Sequence, residues 1–329
     1  MRRLFDSLDT PLGRASRYTF STLLIAVLVG QLDWKAIAQL RGQWAGGPVI
    51  LGTLVAGVTF PLHAWRWWLM LRAQGLALSL PWAHAVTWIG NFYNAFLLGG
   101  LGGDTARTYY VCRDAPGYKA AGLAATLLDR ILGLIVLLSI AAVALVLQLD
   151  ALAHHPEFRQ LLYFCTTLSF LGVVAGFVFC RRPPAWLARR IGETHTATLT
   201  SILAHLQSKP LTLLTALAAS YAIWLLDFVA VWLLAQAVNL PLHFIDVTLA
   251  MSVAYASTIL PISVGGHGIR EGALLATLTA LGALATPAAQ EQGLLLALLV
   301  WLSTIFWSLF GGLFSLAAPH LIPASKVQQ

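Results

Sequence analysis

Charged side chains are scarce in this sequence of 329 residues. Lys, Arg, Asp and Glu together make up 10% of the chain, whereas 58% of it is hydrophobic and the mean hydropathy is +0.77. Soluble domains carry about 25% charged residues. So little charge cannot cover a globule with a polar surface, which argues against a soluble enzyme and favours a protein that is solvated by the lipid bilayer.

Cysteine is also rare, and its positions do not match a metal site. Cys112, Cys165 and Cys180 form an odd, scattered set, which argues against a disulfide framework. The sequence contains no GxSxG nucleophile motif, no Walker phosphate loop and no HExxH zinc motif. We therefore expect that the protein is not an enzyme and needs neither a cofactor nor a metal.

Long apolar runs predict an all-α polytopic membrane protein with six transmembrane helices, because a span needs about 20 apolar residues. The predicted spans are Tyr18–Leu32, Pro48–Leu71, Ala120–Leu149, Leu161–Cys180, Leu211–Val238 and Gly293–Ala317. The first is short enough to be a signal peptide, with Ala36-Ile37-Ala38 as its cleavage site. Because Asp33, Trp34 and Lys35 separate the apolar run from that site, we favour a retained anchor.

Two shorter apolar stretches, Trp82–Leu98 and Phe244–Leu260, each run into a Gly-rich break followed by another short helical segment. This pattern predicts re-entrant helical hairpins over residues 82–113 and 244–283. Non-helical backbone at membrane depth is tolerated only where protein or water covers it. The two breaks therefore predict a cavity inside the membrane.

Positive charge is distributed unevenly between the predicted loops of a chain whose net charge is +7. One side would hold Arg2, Arg3, Arg14, Arg17, Arg66, Arg72, Arg113, Lys119, Arg181, Arg182, Arg189 and Arg190, and the other only Lys35, Arg41 and Arg159. Positive residues mark the cytoplasmic side. We expect a multi-pass protein of the bacterial inner membrane with both termini cytoplasmic, and no nucleic-acid partner.

Similar strings occur in the same order in both halves of the chain. Residues 73–78 (Ala-Gln-Gly-Leu-Ala-Leu) match 235–240 (Ala-Gln-Ala-Val-Asn-Leu), and 102–107 match 265–270. We predict two repeats, 1–180 and 210–329, joined by a cytoplasmic amphipathic linker over 181–209, with 161–180 as the first span of the second repeat. Three spans per repeat would invert the second copy, an arrangement typical of transporters.

The first hairpin tip contains the string Gly102-Gly103-Asp104-Thr105-Ala106-Arg107. Asp104 stands where an N-cap would open the returning helix, and Arg107 lies one turn further on. A helix N-terminus attracts anions, phosphate above all. The alternatives are a phosphate site and a capped turn with a snorkelling arginine.

The second tip contains Ser263, Gly265, Gly266, His267, Arg270 and Glu271. Either arginine of the two tips would clamp a lipid phosphate bidentately, or the charges would form an ion-pair lock. For the lock we predict pairs between Arg270 and Asp104 and between Glu271 and Arg107. His267 is a candidate polar lining residue rather than a metal ligand, because no second histidine stands at ligand spacing.

Three further charged positions lie within or beside apolar spans. Asp129 and Arg130 open the third span and suggest a cavity wall, the alternative being a cytoplasmic interface. Asp227 lies near the middle of the fifth span and is a candidate coupling or substrate residue. Arg66, which has tryptophan at 65, 67 and 68, is expected in an interfacial belt.

Three motifs together resemble the lysylphosphatidylglycerol synthase transmembrane region, or flippase-like, family. They are Gly-Gly-Leu-Gly-Gly-Asp-Thr-Ala-Arg at 99–107, Asp-Arg-Ile-Leu-Gly-Leu at 129–134 and Pro-Ile-Ser-Val-Gly-Gly-His-Gly-Ile-Arg-Glu-Gly at 261–272. The resemblance implies that residues 102–107, 129–130 and 265–271 line a lipid path. The sequence ends at Gln329 without an aminoacyl-transferase domain, so we expect a stand-alone member that does not transfer lysine.

Three functions are compatible with these features. A flippase-like transporter would move a polar-headed lipid, expected to be an anionic or zwitterionic phospholipid, through a midplane cavity between the tips. An ion-coupled small-solute transporter would use Asp227 as its coupling acid. A non-transporting scaffold would present lipid to a lipid-synthesis enzyme. The sequence does not indicate an oligomeric state.

Overall fold

The fold is described by a computed structural model over residues 45–95, 102–181, 204, 208–258 and 268–321. These residues contain nine α-helices and a 3₁₀ turn at Pro116–Tyr118, and no strand occurs among them. The helices are α1 (Gly46–Ala73), α2 (Leu80–Asn94), α3 (Gly102–Asp114), α4 (Lys119–Leu147), α5 (Pro156–Arg181), α6 (Pro210–Ala237), α7 (Phe244–Ser257), α8 (Ile269–Ala280) and α9 (Pro287–Leu321).

Four of these helical segments are long and apolar enough to cross a bilayer. They contain α1, α4 with its preceding turn, α6, and α9 as far as Ser315. The prediction of spans at these four places is confirmed, and α5 covers the fourth predicted span with a continuous helix. The first predicted span and nearly all of the linker 181–209 lie outside the described residues. The protein is an all-α, multi-pass membrane protein.

Helices α1 and α6 pack along each other and form the central pair of the bundle. Their approach is close, because a Cβ atom on Gly52 would lie 2.9 Å from the carbonyl oxygen of Ala230. The amide of Ala45, just before α1, donates to the carbonyl of Ala237 at the end of α6, at 2.8 Å. Small residues allow this contact, as is common between helices in membranes.

The short helices occur as two pairs, at the positions where hairpins are predicted. Helix α2 packs against α3, and α7 packs against α8. Each pair also packs against a long helix from the other half of the chain, since α2 contacts α9 and α7 contacts α4. The long helices thus hold both short pairs around one central volume.

The turns that follow α1 and α6 have the same backbone form. Gly75 after α1 has φ 83° and Asn239 after α6 has φ 56°, both in the left-handed region. Gly and Asn are the residues that adopt this region most readily. The turns therefore align Gly75 with Asn239. The sequence comparison of residues 73–78 with 235–240 aligned Gly75 with Ala237, so its register is shifted by two residues.

A tryptophan closes each of these turns in the same way. The Trp68 indole Nε1 donates to the carbonyl of Leu78 at 2.9 Å, and the Trp232 Nε1 donates to the carbonyl of Leu242 at 3.1 Å. Each bond links the last turns of a long helix to the residues that lead into a short one. The two halves therefore fix the entry of their short helices by one device.

Aromatic rings join α9 to α1 and α2 beside the central volume. Phe60 and Trp88 stack with ring centroids 4.6 Å apart, and the Trp307 ring packs against both. A Cβ atom on Gly57 would lie 2.2 Å from the Trp307 ring, and one on Gly311 would lie 2.0 Å from the Trp88 carbonyl oxygen. Neither glycine can gain a side chain without displacing a neighbour.

Gly311→Ala is expected to lower the stability of the fold by about 1–3 kcal/mol, because the new methyl group would meet backbone rather than a flexible side chain. Gly272→Ala on α8 is the matched control, since nothing lies within 4 Å of its added Cβ. The measurement is the thermal unfolding midpoint of both variants in the same detergent. Equal midpoints for Gly311→Ala and the unchanged protein would contradict the described α2–α9 contact.

Candidate functional site

A cavity of about 400 Å³ lies at the centre of the bundle. Its walls come from α1, α2, α3, α4, α6, α7, α8 and α9 and from Thr258 at the end of α7. Among the residues predicted from the sequence, it is lined by Gly103, Asp104, Arg107, Asp129, Arg130, Asp227 and Arg270. The structure therefore brings charges from both halves of the chain to one place.

The most buried ion pair of the cavity joins Arg66 on α1 to Asp129 on α4. Arg66 Nε donates to Asp129 Oδ1 at 2.7 Å, and Nη2 donates to Oδ2 at 3.1 Å. Nη1 donates to the Ser220 hydroxyl on α6 at 2.9 Å. The pair is bidentate and its two side chains are 5% and 4% exposed. The prediction that Arg66 belongs to an interfacial belt is wrong.

Arg107 on α3 is the second arginine that reaches Asp129. Its Nη1 lies 3.4 Å from Asp129 Oδ2, a longer contact than either bond from Arg66. The guanidinium also lies over the Trp67 ring, 5.1 Å from the centroid. A ring face attracts a cation without using its N–H donors. Arg107 is thus held at the cavity wall by weak contacts.

Arg130, the residue after Asp129, faces Asp104. Its Nη1 lies 2.5 Å from Asp104 Oδ2, and the two side chains are 44% and 28% exposed. The predicted pair between Arg270 and Asp104 is therefore wrong. Asp104 lies inside the first turn of α3, which begins at Gly102, rather than at the N-cap position.

Arg270 on α8 pairs with its sequence neighbour Glu271. Its Nε and Nη2 donate to Glu271 Oε1 at 3.0 and 2.7 Å, and its Nη1 lies 3.4 Å from the Thr304 hydroxyl. The other Glu271 oxygen accepts from the Gly268 amide at 2.7 Å and so caps α8. The predicted pair between Glu271 and Arg107 is wrong, because Glu271 is engaged within its own helix.

Asp227 stands on the opposite wall among aromatic side chains. The Tyr255 hydroxyl donates to Asp227 Oδ2 at 2.5 Å. The Trp224 ring lies against Tyr255, with centroids 5.1 Å apart, and its Nε1 donates to the Gly133 carbonyl at 2.9 Å. Among the described residues, no Lys or Arg nitrogen makes an ion pair with Asp227.

Close packing of α2 on α3 shapes the cavity floor. The Gly103 amide donates to the Asn94 Oδ1 at 2.6 Å, and a Cβ on Gly103 would lie 2.6 Å from that side chain. A Cβ on Gly90 would lie 3.1 Å from the Gly103 carbonyl oxygen. Gly102 is buried beside them. The glycines therefore let the two helices approach each other closely.

Four of the predicted site residues lie outside the described residues. They are Ser263, Gly265, Gly266 and His267.

Both halves of the chain contribute residues to the cavity lining. Three first-half lining residues are each separated by the same number of positions along the chain from a lining residue of the second half. The pairs are Phe60 with Trp224, His63 with Asp227, and Asn91 with Tyr255. Phe60 and Trp224 are both aromatic, whereas the other two pairs differ in the polar groups that they present to the cavity.

The sequence did not lead us to place Arg66, His63 or any other residue of α1 in the cavity wall. Thr59, His63 and Arg66 follow the spacing i, i+4 and i+7 and so share one helix face. All three line the cavity. This polar stripe in an otherwise apolar span indicates a helix face that lines a cavity. The tryptophans beside Arg66 favoured an interfacial belt instead.

Most of the chain matches a known protein family. Residues 15–312 match the family described as the lysylphosphatidylglycerol synthase TM region. Neither the curated proteins nor the solved structures contain a match. The match covers most of the chain, including every helix that lines the cavity apart from the last residues of α9.

Asp129→Asn is expected to destabilise the protein by about 3 kcal/mol or more, because it leaves Arg66 as a buried cation without its carboxylate. The same substitution at the more exposed Asp104 should cost less than about 1 kcal/mol. Thermal unfolding of both variants in one detergent measures the difference. Similar losses at the two positions would argue against the special burial of the Arg66–Asp129 pair.

Proposed function

The chain belongs to the lysylphosphatidylglycerol synthase transmembrane-region family, and on this premise we propose that it moves a phospholipid or another polar-headed lipid between leaflets. The headgroup would pass through the central cavity while the acyl chains stay in the bilayer. The family is named after the synthase of a membrane phospholipid, which supports a lipid ligand. The protein would act as a transporter rather than as an enzyme.

A single observation carries the proposal: arginines line a cavity inside an apolar helical bundle. On the first-half wall, Arg66, Arg107 and Arg130 share two carboxylates, Asp104 and Asp129, which leaves one positive charge in excess there. Asp227 of the second half lines the same cavity. Charges at membrane depth are costly and mark ligand paths. Guanidinium groups bind phosphate oxygens with paired hydrogen bonds. A lipid phosphate is the ligand that this charge would favour.

In the first half, Arg107 and Arg130 are the residues that we assign to the phosphate. Arg107 is held by one long contact to Asp129, and Arg130 is substantially exposed. Arg270 would hold the phosphate from the second half, with Thr304 beside it. Gly102, Gly103, Ser263, Gly265, Gly266, His267 and Glu271 stay in the proposed site through their place in the two tips.

We further propose that the two halves are inverted repeats, with re-entrant hairpins at α2–α3 and α7–α8. The matching turns after α1 and α6, and the matching tryptophan bonds, support the repeat. The reciprocal packing of α2 on α9 and α7 on α4 supports a two-fold arrangement around the cavity. Such an arrangement gives a transporter equivalent gates on its two sides.

A second candidate function is ion-coupled transport of a small solute. Asp227 favours it, because this carboxylate faces the cavity and its described hydrogen bond comes from Tyr255. A proton or sodium ion would neutralise it there. Movement of lipid without an ion gradient, unchanged by Asp227→Asn, would favour the lipid proposal; a dependence on both would favour coupling.

Labelling of single cysteines tests the proposed topology. In a chain whose Cys112, Cys165 and Cys180 are replaced by serine, Ala77→Cys and Lys119→Cys should react with an impermeant maleimide from the cytoplasmic side. Pro241→Cys and Ala285→Cys should react from the opposite side. These four residues flank the two short helix pairs. If a pair is re-entrant, the residues before and after it lie on the same side of the membrane.

Accessibility of Ala77→Cys and Lys119→Cys from opposite sides would mean that α2 and α3 together cross the membrane. Labelling is done in both inside-out and right-side-out vesicles, and both should place the two cysteines of each pair on the same side. Reaction of the cysteine-free chain measures the background.

Transport in proteoliposomes tests the phosphate site. The Arg107→Ala, Arg270→Ala double variant should move a fluorescent phospholipid at least about tenfold more slowly, since each charge-assisted hydrogen bond contributes about 1.5–3 kcal/mol. The measurement is the fraction of label that dithionite reduces with time.

The Arg72→Ala, Lys209→Ala double variant is the control, because it also removes two cations and both residues are exposed, outside the cavity. It should transport as the unchanged protein does. Equal rates for the two double variants would defeat the assignment of Arg107 and Arg270.

A further inference from the structure

We propose that Arg66 is a positioning residue for anion binding: it neutralises Asp129 and so keeps Arg107 available to the ligand. Arg66 itself would not touch the ligand. The inference rests on the proposed function, since it concerns the same cavity and a ligand that carries a phosphate group. It adds a residue on α1 that neither the family match nor the sequence motifs assign.

Arg66 and Arg107 compete for one carboxylate on unequal terms. Arg66 makes two bonds to Asp129, at 2.7 and 3.1 Å, whereas Arg107 makes one contact at 3.4 Å. In the described part of the chain these are the two arginines that contact Asp129. The short, bidentate pair satisfies the carboxylate, so Arg107 is held only loosely.

The surroundings of Arg66 enclose its guanidinium. Its third bond goes to Ser220 on α6. A Cβ atom on Gly133 would lie 3.2 Å from Nη1 and 3.4 Å from Nη2, so the glycine gives the planar group its space on α4. With its donors directed at Asp129 and Ser220 and its side chain 5% exposed, Arg66 has little contact area for a ligand.

Within the described part of the chain, the surroundings of Arg107 engage few of its donors: one reaches Asp129, and Asp104 lies within electrostatic range. Its neighbour Trp67 presents a ring face, which attracts the cation and accepts none of its directional bonds. An incoming phosphate could therefore take Arg107 by replacing one long contact. Removal of Arg66 changes this balance, because a buried carboxylate needs a cation. Arg107 would then become the main partner of Asp129 and would be lost to the ligand.

The second half of the protein lacks this device. Ala230 occupies the position on α6 that corresponds to Arg66 on α1. Arg270 pairs instead with Glu271 beside it in sequence. The control of a loosely held arginine by a tightly held one is therefore confined to the first half, and anion affinity should depend on α1 more than on α6.

A mutant cycle with binding and stability readouts tests the inference. The full chain in detergent is titrated with short-chain phosphatidylglycerol, and in a separate arm with inorganic phosphate, to distinguish a lipid headgroup from the free anion. Arg66→Gln should weaken phosphatidylglycerol binding about tenfold, which is the worth of one charge-assisted hydrogen bond. Arg66→Lys should retain most of the affinity, because it keeps the charge that neutralises Asp129.

Two double variants separate positioning from a purely structural role. Arg66→Gln combined with Asp129→Asn should restore binding, because no carboxylate remains to capture Arg107. In an Arg107→Gln background, Arg66→Gln should change affinity little, while its effect on the unfolding midpoint should persist. Thermal unfolding identifies any variant that is not folded, and Arg66→Lys then supplies the comparison.

Additive losses from Arg66→Gln and Arg107→Gln would overturn the inference, because they would mean that Arg66 binds the ligand directly. Failure of Asp129→Asn to restore binding in a folded double variant would overturn it as well. If the unchanged protein moves lipid in proteoliposomes but the cycle is additive, the proposed function stands and only the role of Arg66 fails. If the unchanged protein neither binds nor moves the lipid, both fail.

Discussion

The bidentate contact between Arg66 and Asp129 joins α1 to α4 inside a bundle that is otherwise apolar. An isolated charge in such a place is expensive, and a pair with good geometry makes it tolerable. Ser220 extends the contact to α6, so three long helices meet at one guanidinium. Two further ion pairs at the cavity, Arg270 with Glu271 and Arg130 with Asp104, are more exposed than this one. Asp227 instead accepts a hydrogen bond from Tyr255. Each of these carboxylates therefore has a polar partner, which lowers the cost of burying it.

The sequence predicted the helices better than it predicted their side-chain partners. Hydropathy located the spans at α1, α4, α6 and α9, because a helix in lipid must be apolar along its length. Arg107, Asp129 and Asp227, which the sequence places at a phosphate site, a cavity wall and a coupling or substrate site, line one cavity. Which arginine meets which aspartate depends on helix rotation and packing, and spacing along one chain does not encode that. The cross-pairs of Arg270 and Glu271 failed for this reason.

The two halves of the chain line the cavity with different side chains. Phe60 and Trp224 both contribute aromatic rings to the lining, whereas the same sequence separation relates His63 to Asp227 and Asn91 to Tyr255. The first half supplies three arginines with two carboxylates. The second half supplies Arg270, and Asp227 beside aromatic rings. The turns that Trp68 and Trp232 close contain the same kind of hydrogen bond, so the two halves share this local structure while their cavity linings differ.

The exchange of partners between α2 and α9, and between α7 and α4, has a consequence for the chain as a whole. Each short pair is covered by a long helix that belongs to the other half. A half produced alone would expose the face of Trp88 that Gly311 and Phe314 cover. Two separately produced halves would therefore have to pack each short pair against a long helix of the other half. The arrangement resembles a domain-swapped dimer whose two parts belong to one polypeptide.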